Sequence, residues 1–205
     1  MARMVASLSL LVVMLVLSVP ALAQTTTTDT PQFTRCTTAN VFGGGTFISD
    51  EHHPVLGGAV GWELMPHLTA EATFRWLTPQ QGSTAMSALF TAQVPMRWGG
   101  RLVPFIAGGA GLHHATFDLS HGPLPDFYQR RVTSTLATGQ QAFDDPAYVV
   151  SAGVSFFPTR HMSIRPELET MLVRGGGENL IGITAAVRIA FHFEDHGVTS
   201  ARKPR

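Results

Sequence analysis

The chain has 205 residues with 14 basic and 14 acidic side chains, so its formal net charge is zero and nothing in its charge points to nucleic acid. Charged residues make up only 14% of the chain, well below the roughly 25% that is typical of soluble domains. All basic residues except Lys203 are Arg, so the predicted strands below contain no Lys, and this argues against an ordinary soluble exterior.

The N-terminal segment, residues 1–23, is predicted to be a secretory signal peptide. Arg3 supplies the basic start, residues 8–19 form a short apolar core, and Ala21-Leu22-Ala23 is a small-residue cleavage site. A Thr-rich linker is predicted over residues 24–37 and a polar tail over residues 194–205. No later segment has the roughly 18 consecutive apolar residues of a membrane-spanning helix. The sequence therefore predicts an exported protein without helical spans.

Between the linker and the tail, apolar residues alternate with small or polar residues, a period of two that is typical of half-buried strands. Strands are predicted at residues 38–49, 55–64, 68–77, 86–97, 102–118, 147–157, 163–173 and 180–193. In the last strand every odd-numbered residue from Ile181 to Phe193 is apolar, whereas Thr184 and Arg188 lie on the opposite face. This apolar face is long enough for the ~9–11 residues with which a tilted strand crosses a bilayer.

The predicted connections alternate between tight turns near residues 66, 99 and 160 and longer loops near residues 52, 82, 132 and 177. This pattern is typical of an up-and-down transmembrane barrel, whose closure leaves no strand edge unpaired in lipid. The fold class is therefore all-β, an eight-stranded antiparallel up-and-down transmembrane beta-barrel over residues 38–193.

Polar faces of the predicted strands carry equal numbers of acids and bases. Because an eight-stranded interior is just wide enough to be filled by side chains, we expect these residues to form an interior ion-pair network. Its predicted members are Glu63, Glu71, Arg75, Arg97, Arg165, Glu167, Glu169 and Arg188.

Aromatic residues on the apolar faces fall near the strand ends, where membrane barrels carry interfacial girdles. The predicted girdle residues are Trp62, Trp76, Tyr148, Phe156, Phe191 and Phe193. Alternation alone does not decide which face is outside, so a soluble periplasmic lipocalin-like lipid-binding barrel is the alternative. The absence of Lys, the balanced charges and the girdles favour the membrane barrel.

The chain resembles the small outer-membrane beta-barrel family, the OmpA/OmpX-like group. The resemblance rests on the signal peptide, the strand and turn pattern, the Pro-aromatic-Gly-rich strand Val103–Gly111 and the segment Ser163–Glu169. It implies a monomer in the cell outer membrane of a Gram-negative-type bacterium. The protein would be exported through the inner membrane first, and outer-membrane lipid and lipopolysaccharide would surround the barrel. The resemblance is specific for the fold and not for a function; we expect a structural, envelope or surface-interaction role, without catalytic activity and without a cofactor.

Residues 119–146 are predicted to form one long third loop with aromatic and Arg side chains: Phe127, Tyr128, Arg130, Arg131 and Phe143. Exposed aromatics beside Arg are typical of binding hot spots, so an extracellular or envelope protein is a candidate partner. The alternative is a weakly selected loop, and the sequence leaves both interpretations open.

Two further sets of residues are candidates for a metal site and for a catalytic site. Five histidines lie near predicted strand ends or in loops (His52, His53, His113, His114 and His121), but they lack metal-ligand spacing, so no metal site is predicted. His161 and Ser163 lie two apart, as a base and nucleophile would in a lipid A-modifying barrel enzyme. This enzyme is a second alternative, but no catalytic residue is predicted.

Overall fold

The computed structural model describes residues 36–48, 51–65, 67–77, 83–96, 101–120, 124–131, 139–159 and 161–194. The predicted signal peptide, residues 24–35 of the predicted linker and residues 195–205 of the predicted tail lie outside this range. Arg97 and His121 also lie outside the described residues.

Eight antiparallel strands form a closed barrel in chain order. They are β1 (Cys36–Ile48), β2 (Glu51–Met65), β3 (Leu68–Leu77), β4 (Ser83–Pro95), β5 (Leu102–Asp118), β6 (Gln140–Thr159), β7 (Met162–Gly175) and β8 (Glu178–Glu194). The barrel closes where β8 pairs with β1, for example Val41 with Ile189. A single helical turn, α1 (Asp126–Gln129), lies between β5 and β6. Within the described residues, no helix has the length and apolar character needed to span a bilayer. The predicted fold class is confirmed.

The predicted alternation of long and short connections is wrong at two places. Only two residues separate Ile48 from Glu51, and only Gly176 and Gly177 separate β7 from β8. Both glycines have positive φ angles, 59° and 86°, which suit a two-residue hairpin whose twist matches the flanking strands. The long connection between β5 and β6 lies at one end of the barrel, here called the loop end. The beginning of β1 and the end of β8 lie at the opposite end, here called the termini end.

The predicted start of the sixth strand is also wrong, because β6 begins at Gln140 rather than at 147. Residues 140–146 pair with residues 112–118 of β5, so these two strands continue past the predicted barrel wall as a ribbon. The sequence did not predict this pairing because it contains Asp144, Asp145 and Pro146, which are unfavourable in strands.

The direction of the strand faces is as predicted. In β8, Ile181, Val187 and Ile189 are exposed on the outer surface, whereas Thr184 and Ala190 are buried in the barrel. β5 follows the same rule: Ile106 and Leu112 are exposed, and Phe105 and His113 are buried.

The interior is divided into two tiers, which the sequence did not predict. Towards the loop end, inward side chains and the segment around α1 form an apolar mouth core. It contains Phe42, Val55, Leu77, Ala85, Leu89, Ala115, Phe117, Leu124, Phe127, Tyr128, Ala147, Val149, Met171 and Val173. Below it lie the charged side chains described next. An apolar cluster therefore occupies much of the loop half of the barrel.

Candidate functional site: a charged layer beneath a capped mouth

Three acids and three bases meet in the lower tier, here called the ionic layer: Glu71, Glu167, Glu169, Arg75, Arg165 and Arg188. The side chain of each residue is at most 9% exposed. The charges within the layer cancel, and a buried charge needs such pairing.

Glu71 is the centre of the layer. Its Oε2 accepts hydrogen bonds from Arg165 Nη2 at 2.9 Å and Asn40 Nδ2 at 3.0 Å. Its Oε1 accepts hydrogen bonds from Arg188 Nη1 and Thr73 Oγ1, both at 3.2 Å. One carboxylate therefore satisfies four donors, about as many as its lone pairs can accept.

Two ion pairs cross the barrel. Arg75 on β3 donates through both terminal nitrogens to Glu169 on β7, with Nη2 2.6 Å from Oε2. Arg165 on β7 reaches back to Glu71 on β3. β3 and β7 are four places apart in an eight-strand ring, so both pairs span the diameter of the barrel.

Glycine lets two aromatic rings lie flat against the wall beside the arginines. The Arg188 guanidinium lies 4.2 Å from the Phe42 ring centre, and a Cβ at Gly57 would overlap that ring. On the opposite side, Arg165 lies 5.1 Å from Phe105, whose ring fills the place of a side chain at Gly153. Each guanidinium thus gains a cation–π contact in addition to its ion pairs.

Of the predicted interior residues, six lie in the ionic layer. Glu63 is half-buried near the termini end of β2, where it pairs in the ladder with Thr69. The predicted girdle residues all lie on the outer surface and are 39–55% exposed. Trp62, Phe156, Phe191 and Phe193 lie towards the termini end, and Trp76 and Tyr148 towards the loop end.

The predicted interaction loop is not the exposed aromatic surface that the sequence suggested. Residues 124–131, here called the cap, fold over the mouth, and Phe127 and Tyr128 are 8% and 2% exposed. The Tyr128 ring centre lies 4.8 Å from those of both Phe117 and Phe143. The aromatic residues are buried because they complete the apolar mouth core, so they pack the mouth and do not form the predicted interaction surface.

Two arginines tie the cap to the barrel. Arg131 Nη1 donates to Asp145 Oδ2 at 2.6 Å, and its guanidinium lies 4.9 Å from the Phe143 ring centre. Arg130 pairs with Glu178 at the surface. Burial raises the pKa of Tyr128, and the negative charge of Asp145 raises it further, so the phenol stays neutral. The Tyr128 hydroxyl is buried without a hydrogen-bond partner among the described residues.

Two serine hydroxyls lie close to imidazoles, but neither pair is the His161–Ser163 pair of the enzyme alternative. Ser163 Oγ lies 2.8 Å from Nε2 of His192, not His161, and Ser163 is only 2% exposed. Ser87 Oγ lies 2.9 Å from His113 Nδ1, and Ser87 is 1% exposed. Neither hydroxyl is accessible to a lipid substrate. Among the described residues, no three His, Cys, Asp or Glu side chains converge as metal ligands.

One hydroxyl–imidazole–carboxylate array lies on the outer face of the β5–β6 ribbon. His114 Nδ1 lies 2.7 Å from Asp144 Oδ1, and His114 Nε2 lies 3.1 Å from Thr116 Oγ1. The order of groups resembles a hydrolytic triad, but the Asp144 side chain is 79% exposed, so water competes for it. We assign this array to surface hydrogen bonding.

The barrel resembles solved structures of barrels from bacterial outer membranes. Neisserial surface protein A aligns with a TM-score of 0.58 at 10% identity, over 78% of this chain and 97% of that chain. Ail, the attachment invasion locus protein of Yersinia pestis, aligns with a TM-score of 0.51 at 11% identity, over 78% and 100%. The N-terminal beta-barrel domain of Pseudomonas aeruginosa OprF aligns with a TM-score of 0.50 at 15% identity, over 76% and 97%.

The sequence itself matches no protein-family model and no curated protein. Identities this low carry the fold alone. The chain therefore has the eight-stranded barrel fold of outer-membrane proteins such as Neisserial surface protein A and Ail.

Proposed function

We propose that the protein is a structural barrel of the bacterial outer membrane, with a closed lumen and no catalytic activity. The observation that carries this proposal is the direction of burial. The charged residues of the ionic layer are buried, whereas large apolar residues such as Phe74, Phe90 and Val150 are 51%, 58% and 68% exposed. Such an exterior is unfavourable in water and favourable in hydrocarbon, where the closed sheet also leaves no backbone group unpaired.

The girdle residues support the same location. Trp62 and Phe193 lie near one end of the strands and Trp76 and Tyr148 near the other, as expected where a barrel meets two membrane interfaces. Outer-membrane lipid and lipopolysaccharide would then be the immediate surroundings of the barrel, with the loop end outside the cell. The soluble lipocalin-like alternative requires a polar exterior, which disagrees with the exposed apolar band.

The experiment that tests this location is fractionation of cells that express the full chain. We expect the protein to remain with the outer membrane after carbonate washing, and its folded form to migrate faster than its boiled form in gels. Recovery in the soluble periplasmic fraction would overturn the proposal. Phe74→Lys is a useful variant, since a charge in the middle of the lipid-facing band should impair membrane insertion.

The role at the cell surface would belong to the polar side of the cap. Since Phe127 and Tyr128 face inward, the cap presents Gln129 and Arg130 to the outside. We propose that any envelope or extracellular protein partner contacts this polar face. A double alanine substitution of Gln129 and Arg130 should reduce surface adhesion without changing barrel folding, and unchanged adhesion would exclude the cap as the contact.

A further inference from the structure

A cavity of about 280 Å³ lies in the mouth of the barrel, between the cap and the wall formed by β1–β5 and β8. Its wall includes Ala85 and Ala115, which are direct partners in the β4–β5 ladder. Because the two small side chains lie side by side, this part of the wall leaves room that larger residues would fill. At the roughly 30 Å³ that one water molecule occupies in the liquid, the cavity has room for a ligand of about ten non-hydrogen atoms.

The body of the cavity is aromatic and apolar. Phe117, Phe127 and Tyr128 contribute rings to it, and Leu77 and Ala115 add aliphatic surface. All five residues are at most 8% exposed, so the wall is fixed by packing in the apolar mouth core. Rings in this arrangement attract an apolar body by contact and a cation by the negative charge of their faces.

The charged groups that line the cavity are both acids, Glu51 and Asp126. Among the described residues that line it, none is Arg or Lys. The cap arginines Arg130 and Arg131 are already paired with Glu178 and Asp145. Two imidazoles, His53 and His113, complete the lining, and His53 Nε2 lies 3.5 Å from Glu51 Oε2. Two carboxylates, both also reached by solvent, disfavour an anionic ligand here and favour a cation, which would also meet the ring of Phe117. The rings of Phe127 and Tyr128 already lie 6.0 and 5.9 Å from the guanidinium carbon of Arg131.

We propose that this cavity binds a small aryl- or alkylammonium ion, with its apolar body against the alanines and its cationic group near Phe117 and the two carboxylates. The site is separate from the ionic layer and adds a ligand-binding role to a barrel whose location does not depend on it. Its position beneath the cap makes the cap part of the binding site as well as the closure of the mouth.

The test uses two ligands of the same shape, phenyltrimethylammonium and its uncharged counterpart tert-butylbenzene. The full-length protein is folded into nanodiscs for this comparison. Binding is followed by the NMR signals of alanine methyl groups. We expect saturable shifts at Ala85 and Ala115 with the cation, and affinity at least about tenfold weaker for the uncharged ligand.

Two variants locate the site and its charge. Ala115→Leu should fill the cavity and abolish binding of both ligands, whereas Ala110→Leu, the same change on the outward face of β5, should leave binding unchanged. The double variant Glu51→Gln with Asp126→Asn should weaken binding of the cation about tenfold and leave tert-butylbenzene unaffected. Heat-modifiable gel mobility shows whether each variant is folded.

Failure has distinct forms. Shifts that never saturate, or binding that survives in folded Ala115→Leu, would overturn the site. Equal binding of the two ligands, unaffected by the loss of both carboxylates, would overturn the assignment of an ammonium ligand.

Discussion

Glu71 accepts five side-chain hydrogen bonds, three of them from the buried Arg165 and Arg188, so its charge holds the ionic layer together. Glu71→Gln would leave Arg165 and Arg188 with too little negative charge in a buried site. We expect a loss of about 3–5 kcal/mol in the free energy of unfolding, measured by urea titration in lipid vesicles. Glu178→Gln breaks the exposed pair with Arg130 and should change stability by less than about 1 kcal/mol. Equal effects of the two substitutions would contradict the central role of Glu71.

Titration of the Tyr128 phenol tests whether the cap is closed over the mouth in solution. The chain has two tyrosines, so Tyr148→Phe leaves Tyr128 as the only one. Burial and Asp145 raise the pKa of Tyr128, so in the folded protein its phenolate should appear well above the ordinary value of about 10, which the unfolded chain should give. The measurement is ultraviolet absorbance during base titration.

The sign of the effect on stability follows from that direction. Because the folded pKa is the higher one, the neutral phenol contributes stability that is fully present below about pH 10 and is lost as the pH rises through the folded value. The cap should therefore loosen only in strong base. A Tyr128 that titrates like a free phenol would mean that the cap is open in solution.

At the scale of elements, close contact between β2 and an inward ring depends on Gly57. A methyl group there would overlap the Phe42 ring and the Phe74 carbonyl oxygen. We expect Gly57→Ala to lower the free energy of unfolding by about 1–3 kcal/mol, since the ring cannot move without disturbing Arg188. At Gly108 on β5 the nearest atom to an added Cβ is 3.7 Å away, so Gly108→Ala should be tolerated. Urea titration of both variants makes the comparison, and a stable Gly57→Ala barrel would show that the wall can yield.

The cap is held to the barrel by one buried and one exposed arginine pair. Arg131→Ala removes the partner of Asp145, which is itself 2% exposed, and also the contact with Phe143. We expect faster hydrogen exchange at the Tyr128 and Gln129 amides, which donate to the Pro125 carbonyl oxygen at 2.8 and 3.0 Å. Arg130→Ala is the matched control and should leave exchange at those amides unchanged. The reverse order would assign the anchoring role to the surface pair.

For the whole molecule, the two tiers predict that closure of the lumen does not depend on the cap alone. The full chain in planar bilayers should show no steady conductance. A double variant, Phe127→Ser with Tyr128→Ser, should loosen the cap and still show none, because the ionic layer fills the lumen below. Steady conductance in the double variant would identify the cap as the barrier and the ionic layer as permeable.

Sequence reasoning predicted the barrel and the direction of its faces because both follow from alternation of residues. Ile189 and Arg188 are adjacent in the chain and lie on opposite sides of the wall, as a period of two requires. The cap was harder to predict, since Phe127 and Tyr128 have no periodic neighbours and look like an exposed binding surface until the apolar residues beneath them are known. The start of β6 was missed for a related reason: Asp145 is a poor strand residue that is held in place by Arg131, a contact between distant positions.

The two ion pairs that join β3 to β7 have a mechanical consequence. Ladder hydrogen bonds keep neighbouring strands together, but they allow a ring of strands to flatten into an ellipse. Flattening the ring would change the distance between β3 and β7, and so would stretch or compress the Arg75–Glu169 and Arg165–Glu71 contacts. These two ion pairs therefore resist the change in shape. The barrel should therefore keep a round outline when lateral pressure from the surrounding lipid changes.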